Sequence, residues 1–163
     1  MKKTLALIAF TAFAMILSKP GFAHCEVPCG IYHDELRIEL IKEHIQTIEK
    51  AMNQVAELQS AEELNYNQIV RWVNTKEHHA NLIQEVAEQY FLHQRVKIAD
   101  PSDEAGYKKY ITELTSLHRL IVYAMKSKQS LDPDNIAKMT EALTAFEASY
   151  FGEHRHKPDG SHK

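Results

Sequence analysis

Cys25 and Cys29 are the only cysteines of a 163-residue chain, and both fall in the run His24-Cys25-Glu26-Val27-Pro28-Cys29-Gly30-Ile31-Tyr32. A histidine, two thiols and turn-forming residues in so short a span are metal-ligand chemistry, provided that His24 stands at a chain terminus. A terminal His24 would offer its amine and its imidazole together, a chelate that needs no tertiary structure. Cys25 follows directly, so its thiolate and its own backbone nitrogen can reach the same ion. Pro28 and Gly30 flank Cys29 with residues that favour a tight bend. Curling the segment would gather two nitrogens and two sulfurs into one plane. Soft thiolates in a square-planar N,S field suit Ni(II) or Cu(II) rather than Mg(II) or Ca(II). Zinc prefers tetrahedral ligands, which so short a hook provides less naturally.

The residues before His24 decide whether that terminus exists. Met1-Lys2-Lys3 is a short positive stretch, and Thr4 to Leu17 is apolar. That run is shorter than the roughly 20 residues a membrane-spanning helix needs, and it suits the apolar part of an export signal. Lys19-Pro20 ends it, and Gly21-Phe22-Ala23 puts small residues at both key positions for a cut after Ala23. Residues 1–23 are therefore expected to be a cleaved signal peptide rather than an anchor, making the protein exported, periplasmic or extracellular. The mature chain would have no membrane attachment. It also loses Lys2, Lys3 and Lys19, so it is more negative than the −3 of the whole chain. That balance argues against nucleic-acid binding, which rests on basic residues that neutralise phosphates. In an oxidising compartment the cysteine pair has a second reading, a small disulfide in a purely structural helical module. Loss of thiolate-to-metal charge transfer would mark it.

The rest of the chain reads as helices that present this terminus. Five Gly and five Pro leave little room for turn-rich β architecture. Ile38, Ile41, Ile45, Ile48, Met52 and Val55 step by threes and fours, the period of one helix face. Ser60-Ala61-Glu62-Glu63 has the spacing of a capping box and is expected to open a second helix. Ile69, Val73, Ala80, Ile83, Ala87 and Tyr90 form its stripe, with Lys76 as a polar interruption. Ser102 is expected to cap a third helix carrying Tyr107, Tyr110, Leu114, Leu117, Ile121 and Ala124. Asp132-Pro133 opens a fourth, with Ile136, Met139, Leu143, Phe146 and Tyr150. The expected fold is all-α, an up-down four-helix bundle over residues 33–151 with an N-terminal metal-binding hook at 24–32. Residues 152–163 read as a polar tail containing histidines, without fixed structure. A di-metal bundle core would need two inward Glu-x-x-His pairs. Only Glu153-x-x-His156 has that spacing, beyond Gly152. The adjacent His78 and His79 point in different directions on a helix and read as surface or packing residues.

The motif His24-Cys25-x-x-Pro28-Cys29-Gly30-x-Tyr32 resembles the nickel hook of nickel-containing superoxide dismutases. The likeness extends more weakly to Arg37-Ile38-Glu39. What the resemblance implies is one nickel ion per subunit and dismutation of superoxide through a Ni(III)/Ni(II) cycle. Strong thiolate and amide donors are consistent with that couple, because they stabilise the higher oxidation state. The family pattern places nickel on the His24 amine, the Cys25 backbone nitrogen and the thiolates of Cys25 and Cys29, with the His24 ring axial. It implies a cis peptide bond at Pro28, and Tyr32 lining the approach of superoxide. Glu39 would hydrogen-bond the axial imidazole, and the subunits would assemble as a homohexamer. Two departures stand out. The segment from Tyr32 to Arg37 is one residue shorter than in actinobacterial members, and His79 falls where those members carry a supporting arginine. The rival function is a non-enzymatic exported protein that braces copper with the His24 amine and imidazole. Nickel-loaded protein without dismutation would favour it.

Overall fold

The computed structural model describes residues 27–28 and 30–152. The leader, His24, Cys25, Cys29 and the tail after Gly152 lie outside the described residues. The chain divides into two units, Met1–Tyr32 and His33–Lys163. The second holds four helices: α1 (Asp34–Gln59), α2 (Tyr66–Glu85), α3 (Glu104–Gln129) and α4 (Asp134–Phe151). Among the described residues there is no strand. Each helix packs on its neighbour in sequence, and α1 also meets α4, so the four close around one core. Short connections between consecutive helices give the up-down arrangement. No described helix is long and apolar enough to cross a membrane.

The helix period accounts for most of the core. Ile38, Ile41, Ile45, Ile48, Met52 and Val55 are all buried on α1, together with Ala51. On α4 the buried residues are Asn135, Ile136, Met139, Ala142, Leu143 and Phe146. Full burial of such large apolar side chains contributes about 1.5–3 kcal/mol each. Phe91 and Phe146 meet edge to face at 4.9 Å, and Phe146 stacks on Tyr150 at 5.1 Å. The expected stripes on α2 and α3 are the exceptions: on α2, Ile69 and Val73 are only half-buried, and α3 departs further. Leu117 and Ala124 are buried, but Tyr107, Tyr110, Leu114 and Ile121 are not. The inward face turns instead toward Glu113, Ser116, Leu120 and Ser127. Small serines fit a close helix contact there, and the Ser127 hydroxyl donates to the Ala124 carbonyl at 2.7 Å. Hydrophobicity alone misjudges that face.

Two helix starts also differ from expectation. Ser60 closes α1 rather than opening α2, because its N–H and hydroxyl both donate to the Glu57 carbonyl at 3.1 and 2.8 Å. The α2 cap is Asn65, whose side-chain oxygen accepts from the Gln68 N–H at 3.2 Å. Ser102 is likewise occupied, donating from its N–H and hydroxyl to Asp100 at 2.8 and 2.7 Å. Asp103 caps α3 instead, accepting from the Gly106 N–H at 3.1 Å. At α4 the Asp132 carboxylate accepts from the Asp134 N–H at 3.0 Å, as an N-terminal cap should.

Lys76 is the polar interruption of the α2 stripe, and it is buried with 3% exposure. Its ammonium donates to the carbonyls of Ser127, Lys128 and Ser130 at 2.5, 2.7 and 3.3 Å. Those are the unsatisfied carbonyls at the end of α3, where a cation also complements the helix dipole. Burial pushes the Lys76 ammonium below its ordinary pKa.

Past Glu85, α2 continues as a π-helical stretch over Val86–Arg95, which closes with Val96 N–H on the Phe91 carbonyl at 2.8 Å. Residues five apart lie about 140° around an α-helix. In i→i+5 winding they come nearly into line. Tyr90 and Arg95 are five apart, and the wider winding turns both toward the start of α1.

Candidate metal centre

Part of the bend at residues 27–31 is described. The Val27–Pro28 peptide bond is cis, as the resemblance implies. Ile31 N–H donates to the Pro28 carbonyl at 2.9 Å, closing a turn whose central residues are Cys29 and Gly30. Gly30 takes φ 82°, a positive value that glycine adopts without steric cost. Any other side chain except asparagine would be strained there. The Ile31–Pro28 bond marks a bend in this stretch, which is what the ligand reading asks of it. With an amine, an amide nitrogen and two thiolates in the sequence around it, the donor set fits nickel. Among the described residues, no group of three or more His, Cys, Asp or Glu is placed to hold a metal ion.

Tyr32 ends the first unit, and Glu39 belongs to the second. The Glu39 side chain is 63% exposed on α1 and pairs with Lys42 at 3.0 Å. Lys42 also meets Glu147 of α4 at 3.0 Å, so two carboxylates offset its charge. Arg37 lies over the Tyr90 ring, 5.0 Å from its centre.

One residue after the hook, the bundle has an anchor that sequence inspection missed. Asp34 opens α1, and its carboxylate accepts from Arg95 twice, at 2.9 and 2.6 Å. The hydroxyls of Tyr90 and Tyr150 donate to the same carboxylate at 2.7 and 2.9 Å. Tyr90 in turn accepts from the His33 N–H at 2.9 Å. The backbone at 33–34, where the hook joins α1, is thereby tied to the end of α2 and to α4. Burial would raise the Asp34 pKa, but the bonds from Arg95, Tyr90 and Tyr150 outweigh it and hold the carboxyl below its ordinary 3.8. Burial and the bond to Asp34 push Tyr90 up to about 12 and raise Tyr150 as well. Both phenols therefore stay protonated and act as fixed donors. Asp34 sits in the first turn, where an acid is common, and nothing in the sequence marks partners 56 to 116 residues away.

A second feature also lay outside the sequence reading. His44 on α1 and His79 on α2 face each other with their Nδ1 atoms 3.1 Å apart. His78 is exposed, its ring 5.5 Å from that of His79. Burial and the neighbouring histidines lower the pKa of both His44 and His79.

Comparison with known proteins returns no match among curated proteins and none among solved structures. A family model described as nickel-containing superoxide dismutase, however, matches residues 19–154. That span takes in the whole hook, its turn and all four helices. A ligand motif and a bundle found together over most of the chain place this protein in the nickel-containing superoxide dismutase family, oxidoreductases that carry nickel and act on superoxide.

Proposed function

We propose that the metal is held at the amino terminus created when residues 1–23 are removed from an exported chain. The His24 amine and ring, the Cys25 backbone nitrogen and the thiolates of Cys25 and Cys29 would hold it. When bound, nickel supplies a one-electron Ni(III)/Ni(II) couple that oxidises one superoxide to dioxygen and reduces the next, with two protons, to hydrogen peroxide. The family match across residues 19–154 carries this reading, and the turn closed by Ile31 and Pro28 around Cys29 supports it. No observation favours the non-enzymatic copper alternative.

The chain's own residues have separate tasks. Gly30 allows the bend at a φ that other residues resist. Tyr32, at the exit of the hook, screens what approaches the metal. Glu39 orients the His24 ring from α1. Asp34, with Arg95, Tyr90 and Tyr150, fixes the root from which the hook springs. That positioning matters because a small misplacement of reacting groups costs large factors in rate. Superoxide is an anion and the chain carries a formal −3, so only a local positive field can steer it. Assembly as a homohexamer would bring neighbouring subunits to the hook and help order it.

A single alanine inserted before His24 tests the chelate. The amine would then stand one residue away from its ring, and the five ligands could no longer come from the same short hook. Dismutation should vanish while far-ultraviolet circular dichroism stays helical. Full activity with the extra alanine would refute this ligand set.

A further inference from the structure

The His44 and His79 rings meet on the bundle itself. Two neutral imidazoles can share one gap only if one donates its Nδ1 proton to the other, or if both lone pairs turn to a cation that replaces that proton. At 3.1 Å, the His44 and His79 Nδ1 atoms leave room for either one shared proton or one metal ion. With metal–nitrogen bonds of about 2.0–2.1 Å, two nitrogens at this spacing subtend an angle of about 98° at the ion. That is a cis pair of ligands, between the ideal square-planar and tetrahedral angles. The rings are close to perpendicular, at 68° with centroids 5.0 Å apart, so each can aim its Nδ1 at a common point without stacking.

The surroundings favour a cation. Glu43 stands beside His44, and its negative charge acts on both rings. Both histidines are half-buried, on helices held together by the core below them, so the pair is preorganised rather than gathered by the ion. Among the described residues no third ligating side chain joins them, and water would complete the coordination. We propose that His44 and His79 form a two-histidine site for a divalent transition metal that prefers imidazole, namely Zn(II), Cu(II) or Ni(II). An ion there clips α1 to α2, elements whose histidines are 35 residues apart, and stabilises the folded bundle by binding it in preference to the unfolded chain. Binding there requires no redox change.

The test uses the nickel-loaded protein, so that the hook is already filled. Zn(II) is titrated in by calorimetry, alongside thermal unfolding with and without zinc. A further equivalent should bind and raise the unfolding midpoint. Both effects should be lost in His44→Gln and in His79→Gln, and kept in His78→Gln. The tail carries His154, His156 and His162, so zinc bound equally by wild type and both variants belongs to the tail and overturns the proposal. If a variant loses its helicity, histidine nitrogen resonances of the wild type decide instead. Zinc should move the Nδ1 signals of His44 and His79, and signals that stay fixed at saturating zinc overturn the site.

Discussion

At the scale of single residues, Asp34 is the side chain on which most depends within the described bundle. It is 15% exposed and accepts four hydrogen bonds, two of them from the fork of Arg95. Replacing it by asparagine removes a charge that Arg95 then lacks, at a cost of about 2–3 kcal/mol near neutral pH. The pH dependence has a definite sign. The folded carboxyl titrates below the ordinary 3.8, so its stabilisation is full above that value and is lost as pH falls through the folded pKa. Urea unfolding should show wild type ahead of Asp34→Asn at neutral pH, with the gap closing as pH falls below the ordinary carboxyl range. A gap that does not change with pH would mean that the charge is not what holds the network. The two cysteines and His24 could be singled out by their types and close spacing alone, because their chemistry is local. Asp34 could not, since its partners come from two other helices far along the chain.

At the scale of helices, periodicity was a sound guide wherever one face is uniformly apolar, as on α1 and α4. It failed on α3, whose inward face carries Glu113, Ser116 and Ser127, and at Ser60 and Ser102, whose hydroxyls bond backward or to Asp100. A serine in a capping pattern has more than one backbone or carboxylate partner within reach, and the sequence does not rank them. The π winding over Val86–Arg95 was equally hidden, since nothing in the local sequence marks it. Lys76 interrupts a stripe that is buried from Ala80 onward but only half-buried at Ile69 and Val73, and the structure shows why the lysine is tolerated there. Three carbonyls at the end of α3 need a donor, and the ammonium reaches all of them. Lys76→Met keeps the volume and removes the donor, which should lower stability by about 1–3 kcal/mol through the orphaned carbonyls. Thermal unfolding measures it, and an unchanged midpoint would show that water replaces the lysine without loss.

At the scale of the whole molecule, the bundle and the hook are two problems solved by different parts of the chain. The bundle could be anticipated from the spacing of its apolar residues, and it supplies a rigid root one residue from the hook. The hook is proposed from its donors together with a leader whose removal would free them. The proposed function links export, cleavage and metal binding, because a His24 amine would exist only once the peptide bond after Ala23 is cut. Native mass spectrometry of the purified, dismutation-active protein, paired with N-terminal sequencing, examines that link in one preparation. The expected active species is a chain of residues 24–163 that begins at His24 and carries one nickel ion per subunit. An active, nickel-loaded protein that begins at any other residue would contradict the amino-terminal site.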